Sequence, residues 1–361
     1  MRWITLTTVC WLAVLSGSHL PGEQVQWPDS YDVEWTSPSQ DCRGSMPLGN
    51  GEVALNVWIE PDGSLLFYIA RSDAWDEYGR LLKIGRVRVK LSPQPDITRN
   101  FRQRLRLRDA TLVASWGEGD NTVNLSLWVE AQNPVIHAEL RTSQPTSASA
   151  MIELWRTEPT EIHHLEVSDV LVDRDHPEGR RDRLIARPDT LLKDWPLGIG
   201  WYHHNQESIG PALTAKIQGL AGFARPDPLL DRVFGAVIVA DGAQRKSDTE
   251  LVTPTATDHR FDVYVQTCYP AKPERWLKEI VATKQTIEAA PLERRRQEHE
   301  AYWHRFWDRS YLTVESTTDS PRPQVVPVNQ HEIRFGIDQS GGNLLKGQLG
   351  RVSIWNAPLG D

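Results

Sequence analysis

The stretch Ser72-Asp73-Ala74-Trp75-Asp76-Glu77-Tyr78-Gly79, followed by Leu81-Leu82-Lys83-Ile84-Gly85-Arg86-Val87-Arg88-Val89, decides how the chain is read. Apolar residues alternate over 64–70 before it and over 84–91 after it, and a period of two predicts a strand on each side. The connection between them carries three acids, Trp75, Tyr78 and one glycine. Carboxylates accept hydrogen bonds from hydroxyls, and aromatic rings cover the apolar C–H face of a sugar, so this composition suits a polyhydroxylated ligand. The competing expectation is a tight connection whose Trp packs onto the core.

The same pattern extends outward. Met46-Pro47-Leu48-Gly49-Asn50-Gly51-Glu52 predicts a sharp turn, with glycines free to take positive φ, into a strand over 53–59. Pro61-Asp62-Gly63 predicts a hairpin turn. The glycine-rich segment opens a strand rather than a helix and lacks GxxxxGK[ST] spacing, so it is not a phosphate cradle. Alternation recurs at 102–107, 111–116, 123–129, 135–140, 148–155, 212–217, 234–240 and 259–266, with Gly117-Glu118-Gly119-Asp120-Asn121 as one intervening turn. Many short strands at this spacing predict a mainly β fold, a large antiparallel sandwich or barrel. The absence of alternating βα units excludes a Rossmann arrangement.

Residues 174–194 are polar and predict a surface excursion. It ends in a second polar–aromatic cluster that holds Trp201, His203 and His204. Adjacent histidines on extended chain point to opposite faces, so neither His203-His204 nor His163-His164 chelates one metal. Helices are expected only beyond residue 270. Pro273 fits a first helical position, and Trp276, Ile280, Thr283 and Ile287 recur at helical spacing. Pro291 then starts a second helix, where His299, Tyr302, Trp303, Phe306 and Trp307 form an aromatic stripe suited to docking. His299 and His304 are five apart and diverge by about 140°, which excludes a zinc helix. Residues 315–330 read as a linker. Strands are expected at 332–337 and 349–355, with Gly341-Gly342-Asn343 turning between them, too few to form an independent core.

The 361 residues include 40 basic and 48 acidic side chains, a net charge of −8, so nucleic acid is excluded as a partner. Mean hydropathy is −0.47. Tryptophan is in excess, with 15. Arg2, the apolar run 3–15 and Ser16-Gly17-Ser18 predict a secretory signal over 1–22. The run is too short for a comfortable membrane span, so the mature chain is expected to be secreted or periplasmic and free of the membrane. Cleavage would remove Cys10. Cys42 and Cys268 could pair or remain thiols, and no disulfide is expected. No GxSxG elbow and no cofactor motif occurs, so no cofactor, no metal and no catalytic serine are assigned.

Five motifs occur in order: 46–51, the 73–77 turn, Leu82-Lys83-Ile84-Gly85-Arg86-Val87-Arg88, Trp201-Tyr202-His203-His204-Asn205, and Trp303-His304-Arg305-Phe306-Trp307-Asp308-Arg309-Ser310. Over residues 27–312 they resemble the N-terminal β-sandwich (the DUF5703 type) of bacterial proteins related to family 95 α-L-fucosidases and their (α/α)6-barrel relatives. The resemblance implies a super-sandwich over 23–270, a two-helix linker over 271–312 and a helical catalytic barrel beyond it. Only 49 residues follow Leu312. Twelve helices of about a dozen residues need well over a hundred. The chain is therefore expected to lack that barrel, with a flexible linker over 313–330. The tail over 331–361 resembles a fragment of a laminin-G-like jelly roll, a C-terminal β fragment.

The resemblance implies a secreted carbohydrate-associated module, without its own catalytic residues, whose sugar-facing side chains are Asn50, Asp73, Trp75, Asp76, Tyr78, Trp201 and His203. Lys83 and Arg86 are expected to pair with Asp76 or Glu77. One alternative is a glycoside hydrolase that uses Asp73 with Asp76 or Glu77, since such chemistry needs two carboxyls about 5–10 Å apart. Another is an interaction module whose protein partner covers Tyr302, Trp303, Phe306 and Trp307.

Overall fold

The computed structural model describes residues 31–163, 166, 183–208, 210–223, 225–310, 312–315 and 351–354. The expected signal segment, residues 174–182 of the excursion and the 332–337 strand lie outside these residues. The strands are β1 (Val33–Trp35), β2 (Met46–Gly49), β3 (Val53–Ile59), β4 (Leu65–Trp75), β5 (Leu81–Ser92), β6 (Arg102–Arg106), β7 (Thr111–Glu118), β8 (Asn121–Val129) and β9 (Val135–Glu153). They continue as β10 (Thr160–Glu161), β11 (Ile185–Ala186), β12 (Thr190–Leu191), β13 (Ile199–His204), β14 (Val233–Val239), β15 (Gln244–Arg245), β16 (Glu250–Val252) and β17 (Ala256–Cys268). The helices are α1 (Gly210–Ile217), α2 (Pro273–Glu288) and α3 (Leu292–Trp307).

Fifteen of these strands are joined by hydrogen bonds into two layers. One layer runs β1-β6-β7-β8-β9-β17-β14-β13-β12. The other contains β2, β3, β4, β5, β9, β16 and β15. Every pairing is antiparallel, as the alternation predicts. The strand β9 belongs to both layers. Its first half pairs with β8 and β17, and its second half pairs with β5 and β16. It spans the two separate strands expected at 135–140 and 148–155. The crossover between the halves holds a buried polar knot: His259 contacts the hydroxyls of Thr146 at 3.1 Å and Thr253 at 2.7 Å. Between the layers lies one apolar cluster that includes Phe67, Trp116, Leu127, Ile136, Trp201 and Phe261.

Helix α2 lays Trp276, Ile280 and Ile287 on Val135, Val233, Val237 and Tyr264. Helix α3 docks by polar contacts. Trp307 Nε1 donates to the Leu107 carbonyl (2.6 Å), and His299 Nε2 meets the Asp109 carbonyl (2.8 Å). His304 reaches the Asp109 carboxylate at 2.8 Å, so the two histidines converge on one residue despite their helical divergence. Phe306 alone of the aromatic stripe is classed as exposed.

Two expectations need correction. Residues 212–217 are helical, not extended. Pro211 in the first turn and Gly219 at φ +70° beyond the end were the available signals. Lys83 and Arg86 do not pair with the acids of the turn. Arg86 pairs with Glu153 across to β9 (2.5 Å), and Lys83 lies over the Tyr68 ring (4.2 Å). In agreement with expectation, Cys42 and Cys268 are both free thiols, the first exposed and the second buried.

One compact unit holds Asp29–Trp307, the sandwich and its helices together. Beyond it, β18 (Leu312–Glu315) pairs antiparallel with β19 (Arg351–Ile354). No helix among the described residues is long and apolar enough to cross a membrane.

Candidate functional site

The turn after β4 is built by its own acids. Asp76 accepts the backbone N–H groups of Tyr78 (3.0 Å) and Arg80 (2.8 Å), and its second oxygen takes Arg80 Nε at 2.7 Å. Gly79, at φ +77°, lets the chain reverse there. Asp76 is buried and its bonds are local. It shapes the turn and does not face a ligand, which corrects the sugar-facing assignment.

Glu77 is likewise buried. Its Oε2 lies 3.0 Å from His203 Nε2, and Oε1 accepts the Arg187 N–H. His203 Nδ1 lies 3.0 Å from Asp189, which Arg156 holds at 2.8 Å. A neutral imidazole offers one N–H, yet both ring nitrogens of His203 face carboxylates, so the ring is an imidazolium. Burial alone would lower the His203 pKa, but the bonds to Asp189 and Glu77 outweigh it and raise the value. Burial would raise the Glu77 carboxyl, and His203 reverses that and holds it below its ordinary range. Glu77 and His203 therefore form a brace that ties the turn to β13.

Asn50 has no capacity left for a ligand. Its amide donates to the carbonyls of Glu130 (2.8 Å) and Asn133 (3.1 Å), and its oxygen accepts the N–H groups of Glu52 and Val53. Trp201 is 0% exposed. Its Nε1 donates to the Ile84 carbonyl, and its ring fills the space that a Cβ on Gly85 would enter at 2.7 Å. Asn50, Trp201 and His203 are thus structural, and each stands corrected as a sugar contact.

Two of the expected residues remain at the surface, and a third stands beside them. Trp75 is 39% exposed, and its carbonyl is held by Asn205 Nδ2 at 3.0 Å. Asp73 has 41% of its side chain exposed. Its Oδ1 accepts both Arg71 Nε (2.9 Å) and Thr267 Oγ1 (2.8 Å), while Arg232 binds its carbonyl at 3.0 Å. Arg71 is buried and also bonds Glu52 and the Val265 carbonyl. Tyr78 is half-buried, with its hydroxyl donating to the Ile185 carbonyl. Beside it lies a groove of about 930 Å³, walled by Gly79, Arg80, Pro211, Leu220, Phe223 and Leu229. Asn205 also bonds the Leu229 carbonyl, which joins the groove wall to the turn.

Sequence reasoning missed Arg71, Arg156, Asp189, Asn205 and Thr267, the residues that fix the turn. Glu77 and His203 are 126 positions apart, and no local spacing announces such a pair. No group of His, Cys, Asp or Glu among the described residues converges on a point where a metal ion could be held.

The fold is a two-layer antiparallel sandwich carrying a helical pair, with an acidic–aromatic turn at its edge. Residues 34–312 match the family described as "Domain of unknown function (DUF5703)", and the chain belongs to that family. No curated protein matches it in sequence. Among solved structures it is similar to a protein described as a kojibiose phosphorylase from the human microbiome, at 10% identity and a TM-score of 0.43. That similarity covers 79% of this chain but only 39% of the other.

Proposed function

We propose that the chain is a secreted, carbohydrate-associated β-sandwich module of a glycoside-hydrolase-like protein, which holds a glycan where β4 ends at Asp73 and Trp75, beside the turn, and does not cleave it. One observation carries this reading: an exposed Trp75 ring and a part-exposed Asp73 carboxylate are presented at the end of β4, where Asn205 and Arg232 hold their two backbone carbonyls and Arg71 and Thr267 hold the Asp73 side chain. Such preorganisation lowers the ordering cost of binding. The non-cleaving part rests on the remaining acids. Asp76 and Glu77 are buried and committed to Arg80 and His203, which leaves Asp73 without a free carboxyl partner in the turn.

Screening the purified chain on a glycan array tests the binding. Trp75→Ala and Asp73→Asn are each expected to weaken the strongest signal about tenfold, since one stacked ring is worth roughly 1 kcal/mol beyond its buried area. Equal binding by both variants would remove the turn from the site. Turnover of aryl glycosides by the wild-type chain, abolished in Asp73→Asn, would overturn the non-cleaving part.

A further inference from the structure

The outer face of the first layer carries three cross-strand rows, set by register. Row one is Arg102–Ser115–Asn124–Arg141–Asp258. Row two is Arg104–Val113–Ser126–Glu139–Arg260. Row three is Arg106–Thr111–Trp128–His137–Asp262. Helix α3 covers row three. Its Arg296 lies over the Trp128 ring and donates to Thr111, and its Arg295 bonds Glu130 beside His137. Rows one and two stay outside the helix and floor a trough of about 1030 Å³, closed at one side by Glu293 and Arg296 of α3.

The floor is chemically selective. Its arginines are already matched: Arg102 with Glu34, Arg104 with Asp32, Arg141 with Asp258, and Arg260 with Asp262 and Asp241. A polyanion would find little uncompensated charge there. The two rows offer Val113 as their one apolar side chain, and Pro254, Ala256 and Leu292 lie at the edges, whereas the centre of a protein interface is apolar or aromatic. What the floor does offer is open hydrogen-bonding capacity. Among the described residues, the side chains of Ser115, Asn124 and Ser126 have no partner, and Glu139 receives only Trp128 Nε1, at 3.4 Å. The hydroxyls and the amide both donate and accept, the carboxylate accepts, and the strands are spaced about 4.8 Å apart, so the five-strand row is roughly 19 Å long.

The geometry points to this trough as a second binding site, for a neutral polyhydroxylated chain laid across β6, β7, β8, β9 and β17. It is separate from the Trp75 end of β4 and does not depend on it. Hydroxyls of successive sugar rings meet Ser115, Asn124, Ser126 and Glu139, and the paired guanidiniums of the same two rows flank them.

Affinity electrophoresis of the full chain in native gels tests this. The gels contain soluble starch, hydroxyethyl cellulose or galactomannan, with polygalacturonate as the anionic contrast. At least one neutral polymer is expected to retard the wild-type chain and the Trp75→Ala variant alike. Ser126→Trp, which fills the trough, and the double variant Asn124→Ala/Glu139→Ala, which removes its hydrogen bonds, are each expected to weaken that retardation tenfold or more. The double variant alters exposed or half-exposed positions and decides the matter if Ser126→Trp does not fold. Retardation by no neutral polymer overturns the proposal. So does retardation by polygalacturonate alone, or binding that both trough variants keep. Binding lost in Trp75→Ala but kept in the trough variants would support the turn and remove the trough.

Discussion

At the scale of single residues, two buried histidines are held as cations by geometry. His137 Nδ1 lies 2.7 Å from Asp262, and Nε2 lies 2.7 Å from Glu130. Both acceptors are carboxylates, so both nitrogens must carry protons. Burial opposes the charge, but the two acids outweigh it and raise the His137 pKa. Glu130 and Asp262 are pushed up by burial and then drawn below their ordinary range by His137. His299, on the same Trp128 ring, has no carboxylate contact. Burial lowers it to about 4, so it stays neutral. The sign of the pH dependence follows. A folded pKa above the unfolded value of about 6.5 stabilises fully below that pH and is lost as pH rises through the folded value. The lowered carboxylates stabilise above about 4.5 and fail as pH falls. A melting-temperature profile against pH is therefore expected to show a plateau with an alkaline and an acid limb. His137→Gln should flatten the alkaline limb and cost about 3–5 kcal/mol, the usual penalty for breaking a buried ion pair. An unchanged alkaline limb in that variant would show that His137 is neutral.

At the scale of elements, the seat of α3 is electrostatic where that of α2 is apolar. Arg295 binds Glu130 and the Ala290 carbonyl, and Arg296 stacks on Trp128. Arg295→Ala is expected to release α3 from the sheet while β7 and β8 stay folded. Hydrogen exchange over 292–307 should then quicken at least tenfold relative to those strands. Equal protection in the variant would mean that the aromatic contacts suffice. The elements differ in how far the sequence announced them. Alternation and the turn residues at 61–63 and 117–121 announced β3, β7 and β8 to within two residues, because each has one face on the core, whereas β4 runs on past Ala70 to Trp75, through the segment expected to be a connection. The middle of β9 broke the pattern, since residues 141–147 change layers and both faces become partly polar there. Helix α1 is short and has one buried side chain, Leu213, too little apolar periodicity to distinguish it from a strand. The exposure of Trp75 and Asp73 was legible in acids set beside aromatics near the end of a strand. The roles of Asn50, Trp201 and His203 were not, because their partners lie on strands brought together only by the fold.

At the scale of the whole molecule, the 19-residue strand β9 is common property of both layers. The two halves of the sandwich therefore share backbone hydrogen bonds as well as an apolar interface, and they should melt as one. Denaturant unfolding of 29–307 is expected to give coincident curves by tryptophan fluorescence and far-ultraviolet circular dichroism, the mark of a single cooperative step. Non-coincident curves would show that the layers come apart separately. A further consequence concerns dissection. Had each layer owned its own strands, the gene could be split between them and the fragments mixed to rebuild the fold. Here any cut within 142–146 severs the ribbon that both fragments need, so reassembly from two pieces must place the break at a hairpin tip such as 119–120.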